Sequence, residues 1–342
     1  MSLSPASILI AGIGGASLGT EILKCLRIDA AYRVFGCDVS PLAYGLYEAG
    51  FADTFLVDRG SYVDSVLQLC SRLGVAAVIP GAEEPAVLLS AAVDRFAKAH
   101  VRIAANNSRV AAICADKSKT FSVLAEAGFS VPRTLTADDP AVGEATGPFI
   151  VKPVTGSGGS SDVFYARSGD EAAAYATFLT KQRRKAMIQE YVPDDEGEFT
   201  VGVLSVPGGR LVGSIALKRL LDPKLSHALR GEGFVVSSGY SQGLIDDFPD
   251  VCRMAESIAE AIGSEGPLNV QGRVRDGVFM PFEINARFSA STYLRALAGF
   301  NEVALFLEFL LTGKCGVPQE LRAGYYLRSL TEAYVPLERI AK

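Results

Sequence analysis

Along residues 7–104, short β-rich apolar runs alternate with longer stretches whose apolar positions recur at helical spacing. SILIAG, YRVFGCD, DTFLV, AAVIPG and VRIA read as strands, and LGTEILKCLR, YVDSVLQLCSRLG and AVLLSAAVDRFAKA as helices. Strands separated by helices predict an α/β unit with a parallel, doubly wound sheet. We assign residues 1–106 to this first, Rossmann-like domain.

The pattern changes at NNSRVAAICADKSKTFSVLAEAG, which reads as two helices, with Gly128 as C-cap and Pro132 just beyond. PFIVKP (strand), VTGSGGSS (loop), DVFYA (strand), a helix over 170–183 and AMIQEYV (strand) follow. This makes a small α+β, lid-like unit over 107–187. From 188 to 342 the strands lengthen: EFTVGVLSVPGG, RLVGSIALKRL, GFVVSSG and NVQGRVRDGVFMPFEINARF. Gly208-Gly209 and Asp276-Gly277 read as hairpin turns, and helices flank the strands at 246–262 and 293–312.

The opening stretch ILIAGIGGASLGTEI looks like the start of a dinucleotide-binding βαβ unit. Gly12 and Gly14 fit G-x-G-x-x-G, Ser17 occupies the third position, and Asp38 ends the second strand where a ribose-binding acid would sit. A glycine turn can equally serve close packing or another anion. A nicotinamide-dependent dehydrogenase therefore stays open as an alternative at this point.

Composition narrows the classes. Among 342 residues, 49% are hydrophobic and 21% charged, with net charge −5, so nothing marks a nucleic-acid binder. Six scattered cysteines without CxxC spacing read as small buried hydrophobes in a reducing compartment. The N-terminus has no basic n-region, and its apolar run is short for a membrane span. The expectation is a cytoplasmic protein without membrane contact. Two histidines, His100 and His227, are too few for a zinc site or a Ser-His-Asp arrangement.

Four motifs carry candidate chemistry. In ADKSKTFSVLAEAG, Lys117 and Lys119 open a helix, where the dipole disfavours cations and invites a compensating anion. In PFIVKPVTGSGGSSDVFYA, Lys152 is an isolated cation in an apolar strand, directly before a loop of glycines and serines. Such a loop can close backbone N–H groups on phosphate oxygens, and the lysine can neutralise them. In MIQEYVPDDEGEFTVGVL, an extended segment can offer backbone groups to a purine edge, with carboxylates as acceptors.

The fourth, NVQGRVRDGVFMPFEINARFSAST, is the most specific. A turn at Asp276-Gly277 brings Gln271 near Glu283 and Asn285, which share one strand face. Oxygen ligands so placed suit Mg²⁺ bridging phosphates, and Arg287 continues the face toward a phosphoryl group in transfer. Lys218, Arg219 and Arg230 are candidates for an anionic substrate or are plain surface charge. Ser289, Ser291 and Thr292 line an acceptor pocket or cap the helix that follows.

DK-x₂-T, VKP with its glycine-serine loop, QEYV…EFT and NVQ…EIN-x-RFS occur here in the order found in the ATP-grasp superfamily. The chain resembles its carbamoyl-phosphate-synthetase-like, single-module members from about residue 7 to 315. The resemblance implies a Rossmann-like pre-ATP-grasp domain, then two α+β subdomains holding ATP. It implies ATP phosphates at Lys117 and Lys152, and a mobile flap at 155–161 that includes Gly156, Ser157, Gly158, Gly159 and Ser160. It also implies adenine at Glu190, Tyr191 and Val192, ribose at Glu198, and Mg²⁺ (with Mn²⁺ as a substitute) on Gln271, Glu283 and Asn285. Arg287, with Lys152, is implied at the reacting acyl phosphate.

The implied activity is ADP-forming ligation of a small-molecule carboxylate to an amine. The alternative is a kinase-like phosphotransferase, and a homodimer is the implied assembly. Two departures stand out. EINPR is EINAR here, with Ala286 for proline. RFSAST stands where carbamoyl-phosphate synthetases resemble RVSRSS, so Ala290 replaces their second arginine. That synthetase also carries two such modules against one here, and the resemblance stops short of carbamoyl phosphate formation.

Overall fold

The computed structural model describes residues 5–14, 18–28, 32–48, 50–137, 139–142, 145–156 and 162–341. Ser157, Gly158, Gly159 and Ser160 of the expected flap, and Ser17 of the glycine turn, lie outside the described residues.

The first unit is a five-stranded parallel sheet of β1 (Ala6–Ala11), β2 (Tyr32–Asp38), β3 (Asp53–Leu56), β4 (Val75–Pro80) and β5 (Arg102–Ile103). Its order is β3-β2-β1-β4-β5. The period-2 alternation of β1 sends Ile8 and Ile10 to one face, against α1 (Leu18–Arg27). Leu9 and Ala11 go to the other, against α2 (Tyr62–Leu73), α3 (Glu83–Ala91) and α4 (Val93–Lys98). The helix expected over AVLLSAAVDRFAKA is thus two, broken at Ala92, whose φ of −104° and ψ of 11° leave the helical region.

The glycine turn is a packing device. Gly12 has φ +103°, and a Cβ at Gly19 or Gly81 would lie 2.0 or 1.9 Å from the Gly12 carbonyl oxygen. Asp38 closes the turn by accepting from Ile13 N–H (2.8 Å) and Ser40 N–H (2.9 Å). Both carboxylate oxygens are engaged, so the acid expected on a ribose holds the protein's own backbone.

A four-stranded antiparallel sheet comprises β6 (Thr134–Thr136), β7 (Phe149–Pro153), β8 (Phe164–Ala166) and β9 (Ala186–Glu190), in the order β6-β9-β7-β8. It carries α7 (Gly169–Lys181), N-capped by Ser168. The larger sheet holds β10 (Glu198–Val206), β11 (Arg210–Arg219), β14 (Gly243–Ile245), β15 (Pro267–Arg275), β16 (Val278–Asn285) and β17 (Gly324–Tyr326). Its order is β16-β15-β10-β11-β14-β17. A separate hairpin pairs β12 (His227–Gly231) with β13 (Phe234–Ser237).

Side chains alternate along β10. Phe199, Val201 and Val203 pack against α5 (Ser108–Cys114), α6 (Lys117–Glu126) and α8 (Pro249–Ile262). Leu204 and Val206 face the core shared by α1, α9 (Thr292–Leu297) and α10 (Glu302–Thr312). Helices α5 and α6 therefore belong to the core of the large sheet, while the small sheet extends to Glu190. The single helix expected over 293–312 is interrupted by Gly299 (φ +107°), and Asn301 caps α10 through Ala304 N–H (3.2 Å). No described helix is long and apolar enough to cross a membrane.

Candidate functional site

A cleft of about 150 Å³ opens between the small sheet and the large one. It is lined by Lys117, Lys152, Glu190, Tyr191, Val192, Glu198, Gln271, Glu283 and Arg287, residues drawn from all four motifs.

Lys152 sits on β7, buried, its Nζ donating to Gln189 Oε1 (2.9 Å) and to the Phe282 carbonyl (2.8 Å). Burial pulls its pKa down to about 7; Glu283 raises it and Lys117 lowers it further. Lys117 begins α6 beside it, its N–H donating to the Val154 carbonyl (3.0 Å), while Asp116 caps the helix by accepting from Lys119 N–H (3.1 Å). Two lysines side by side with little water form a site that an anion would relieve.

The opposite wall is the β15–β16 hairpin. Its Asp276-Gly277 turn, with φ of 53° and 72°, sets a register that places Gln271 opposite Glu283 and Asn269 opposite Asn285. Asn285 Nδ2 donates to Glu283 Oε1 (3.2 Å). Asn285 is buried and borders a small adjoining pocket with Glu83 and Arg287. No group of three His, Cys, Asp or Glu side chains able to hold a metal exists among the described residues. One carboxylate and two amide oxygens suit a hard cation that arrives with phosphate oxygens supplying the rest of its shell. Arg287 is not a continuation of the strand: its N–H turns back to the Asn285 carbonyl (2.9 Å), and Nη1 donates to the Phe288 carbonyl (3.0 Å).

The segment Glu190–Val192 bridges the sheets. Glu190 directs its carboxylate to Arg275 and to Arg133 N–H. Tyr191 O–H accepts from Val235 N–H (3.0 Å), tying the bridge to β13. Glu198, the residue the resemblance gives to a ribose, has a fully buried carboxylate between Arg219 Nη1 (3.0 Å) and Arg273 Nη2 (2.8 Å). Arg273 also donates to the carbonyls of Val192 and Val235, both at 2.7 Å, so the triad clamps the bridge to β13.

The three substrate-anion candidates lie elsewhere. Arg219 is buried and holds the carbonyls of Ser226, Ser238 and Tyr240 (3.3, 2.8 and 3.0 Å). Lys218 places its Nζ 5.7 Å from the centre of the Phe199 ring, and Arg230 pairs with Asp222 (3.0 Å) at the surface. Ser289 does line the cleft and bonds Ser291 (2.7 Å), whereas Thr292 donates to Glu302 (2.6 Å) in a buried network. Reasoning from sequence missed Gln189, Arg273 and the 235–241 segment, all in the cleft wall. Arg273 had a signal: it stands two residues after Gln271 on one strand, hence on the same face.

Residues 182–333 match the family described as ATP-grasp in the biosynthetic pathway with Ter operon. No curated protein matches the sequence. The fold is similar to that of L-amino acid ligase from Bacillus licheniformis, with TM-score 0.66 and 16% identity over 93% of this chain and 76% of that one. Biotin carboxylase from Campylobacter jejuni, solved as a β,γ-ATP complex, gives 0.68 and 15% over 92% and 73%. The biotin carboxylase domain dimer of Hydrogenobacter thermophilus 2-oxoglutarate carboxylase, solved with MgADP and bicarbonate, gives 0.65 and 13% over 94% and 74%. The chain thus matches an ATP-grasp family over residues 182–333, and its fold is similar to the folds of these three proteins.

Proposed function

We propose that the protein is an ATP-dependent ligase that joins a small-molecule carboxylate to an amine through an acyl phosphate, releasing ADP and phosphate. The observation that carries this reading is the convergence of Lys117, Lys152, Gln271, Glu283 and Arg287 on one cleft. The L-amino acid ligase fold supports it.

In this reading a carboxylate oxygen attacks the γ-phosphorus, the bond from γ-phosphorus to the β–γ bridging oxygen breaks, and ADP leaves with that electron pair. The amine nitrogen then attacks the acyl carbon, the bond to the phosphate oxygen breaks, and the nitrogen loses a proton to solvent. Lys117 and Lys152 hold phosphate oxygens, and Arg287 faces the charge that develops on the transferred group. Gln271, Glu283 and Asn285 would hold Mg²⁺, or Mn²⁺ in its place, which supplies charge neutralisation across the phosphates. Tyr191 and Val192 border the adenine. Closure of the 155–161 loop would keep water from the acyl phosphate. The chemistry needs no side-chain nucleophile.

Incubation with MgATP, pooled carboxylic acids and amines, with and without hydroxylamine, tests the reading. ADP, phosphate and a trapped hydroxamate are expected. AMP with pyrophosphate would overturn it, and a phosphorylated product without ligation would mark a kinase.

A further inference from the structure

Cross-strand neighbours on one face of the large sheet stand in rows. One row holds Thr200, Gln271 and Glu283, and the next holds Gly202, Asn269 and Asn285. Gly202 contributes no side chain, and the Arg295 guanidinium occupies the space that it leaves. Arg295 comes from α9, is fully buried, and pairs through Nη1 with Glu302 at the start of α10 (3.2 Å). Its Nη2 donates to Asn269 Oδ1 (2.7 Å) and to Thr200 Oγ1 (3.0 Å), and Thr200 donates to that same Oδ1 (2.9 Å).

A guanidinium only donates, so the amide atom that faces Arg295 is the oxygen, and the orientation of the Asn269 amide is fixed. Asn269 and Thr200 both border the cleft. Nδ2 of Asn269 has no partner among the described residues and is the atom left for a ligand. Arg273, farther along β15, holds the Val192 carbonyl, and Asn269 lies roughly 13 Å from it at the rise of a strand. With adenine beside Val192, that span puts Asn269 at the phosphate end of the nucleotide. We propose that Asn269 donates to an oxygen of the γ-phosphoryl group, and that Arg295 is the positioning residue that holds its amide for this. The inference rests on the reading of the cleft as an ATP site.

Calorimetric titration with MgADP and with the magnesium complex of β,γ-imido-ATP tests it, because the two probes differ by the γ-phosphoryl group. N269A should weaken binding of the imido analogue roughly tenfold or more, and that of MgADP by less than about twofold. N269D keeps an acceptor for Arg295 but turns an oxygen toward the phosphoryl group, so it should bind the analogue more weakly than N269A. An Asn269 that serves packing alone would give the reverse order; that order, or equal losses for both probes, would overturn the proposal. R295M/E302M removes the ion pair without leaving a lone charge. It should show the selective loss of N269A, with no further loss when N269A is added. A wild-type preference for the analogue in R295M/E302M would overturn the positioning role. Should that variant not fold, T200V decides. With one of two donors to Oδ1 gone, the analogue should bind about threefold more weakly and MgADP as before, and an unchanged affinity for the analogue contradicts the proposal. Wild-type protein that binds neither probe would overturn the ATP reading together with this one.

Discussion

Lys152 on the small sheet donates to the carbonyl of Phe282 on β16 of the large sheet at 2.8 Å. Phe282 directly precedes Glu283, so one ammonium touches both sheets that border the cleft. Replacing Lys152 with Met removes both the phosphate-facing charge and this tie. Turnover should fall by about 100-fold or more, as expected when a group that stabilises transferred charge is lost. The steady-state rate of ADP formation reads it.

The low pKa of Lys152 gives a pH signature. Below about 7 the amine is charged in the free protein; above it, nucleotide binding must first restore the proton. MgADP affinity should therefore fall as pH rises from 7 to 9, by up to about tenfold per unit, with proton uptake on binding. Calorimetry in buffers of different ionisation enthalpy measures both. In K152M the slope and the uptake should vanish; an unchanged slope would remove Lys152 from the phosphate site.

Glu283 is the one carboxylate of the proposed cation set, so E283A should abolish ADP formation while the melting temperature stays within a few degrees of wild type. Chelating Mg²⁺ with EDTA should have the same effect on the wild type, reversed by added Mg²⁺ or Mn²⁺. Full turnover by E283A would remove the metal assignment.

Gly202 faces a buried network in which Arg295 binds Glu302 (3.2 Å), Asn269 (2.7 Å) and Thr200 (3.0 Å). A Cβ at 202 would come within 2.5 Å of Arg295 Nη1 and 2.7 Å of Glu302 Oε2. G202A should destabilise by about 2–4 kcal/mol, through overpacking and a strained buried ion pair. Urea unfolding monitored by circular dichroism checks it.

Much of this site is legible in the sequence because its parts are local. The strand Phe149–Pro153 with Lys152 pointing from it, the Asp276-Gly277 turn and the Glu283/Asn285 alternation all follow from periodicity and turn chemistry. The register then puts Gln271 opposite Glu283 without further information. What stays hidden depends on long-range packing. Glu198 reads as an open acid until Arg219 and Arg273 arrive from other strands. Asp38 reads as a ribose ligand until the glycine turn folds onto it. Arg295 carries no motif and meets Asn269 and Thr200 only when α9 packs against the large sheet.

The Asp38 contacts also bear on the dehydrogenase alternative. D38A should lose about 1–3 kcal/mol of stability, because two backbone N–H groups lose their acceptor. NADH titrated into the wild type should give no saturable fluorescence change, and a stoichiometric change would revive that alternative.

The central claim is an acyl phosphate, and the direct measurement is oxygen transfer. With a carboxylic acid labelled with ¹⁸O in its carboxylate, mass spectrometry of the released phosphate should show one labelled oxygen per turnover. Phosphate free of label, or label appearing in AMP, would contradict it.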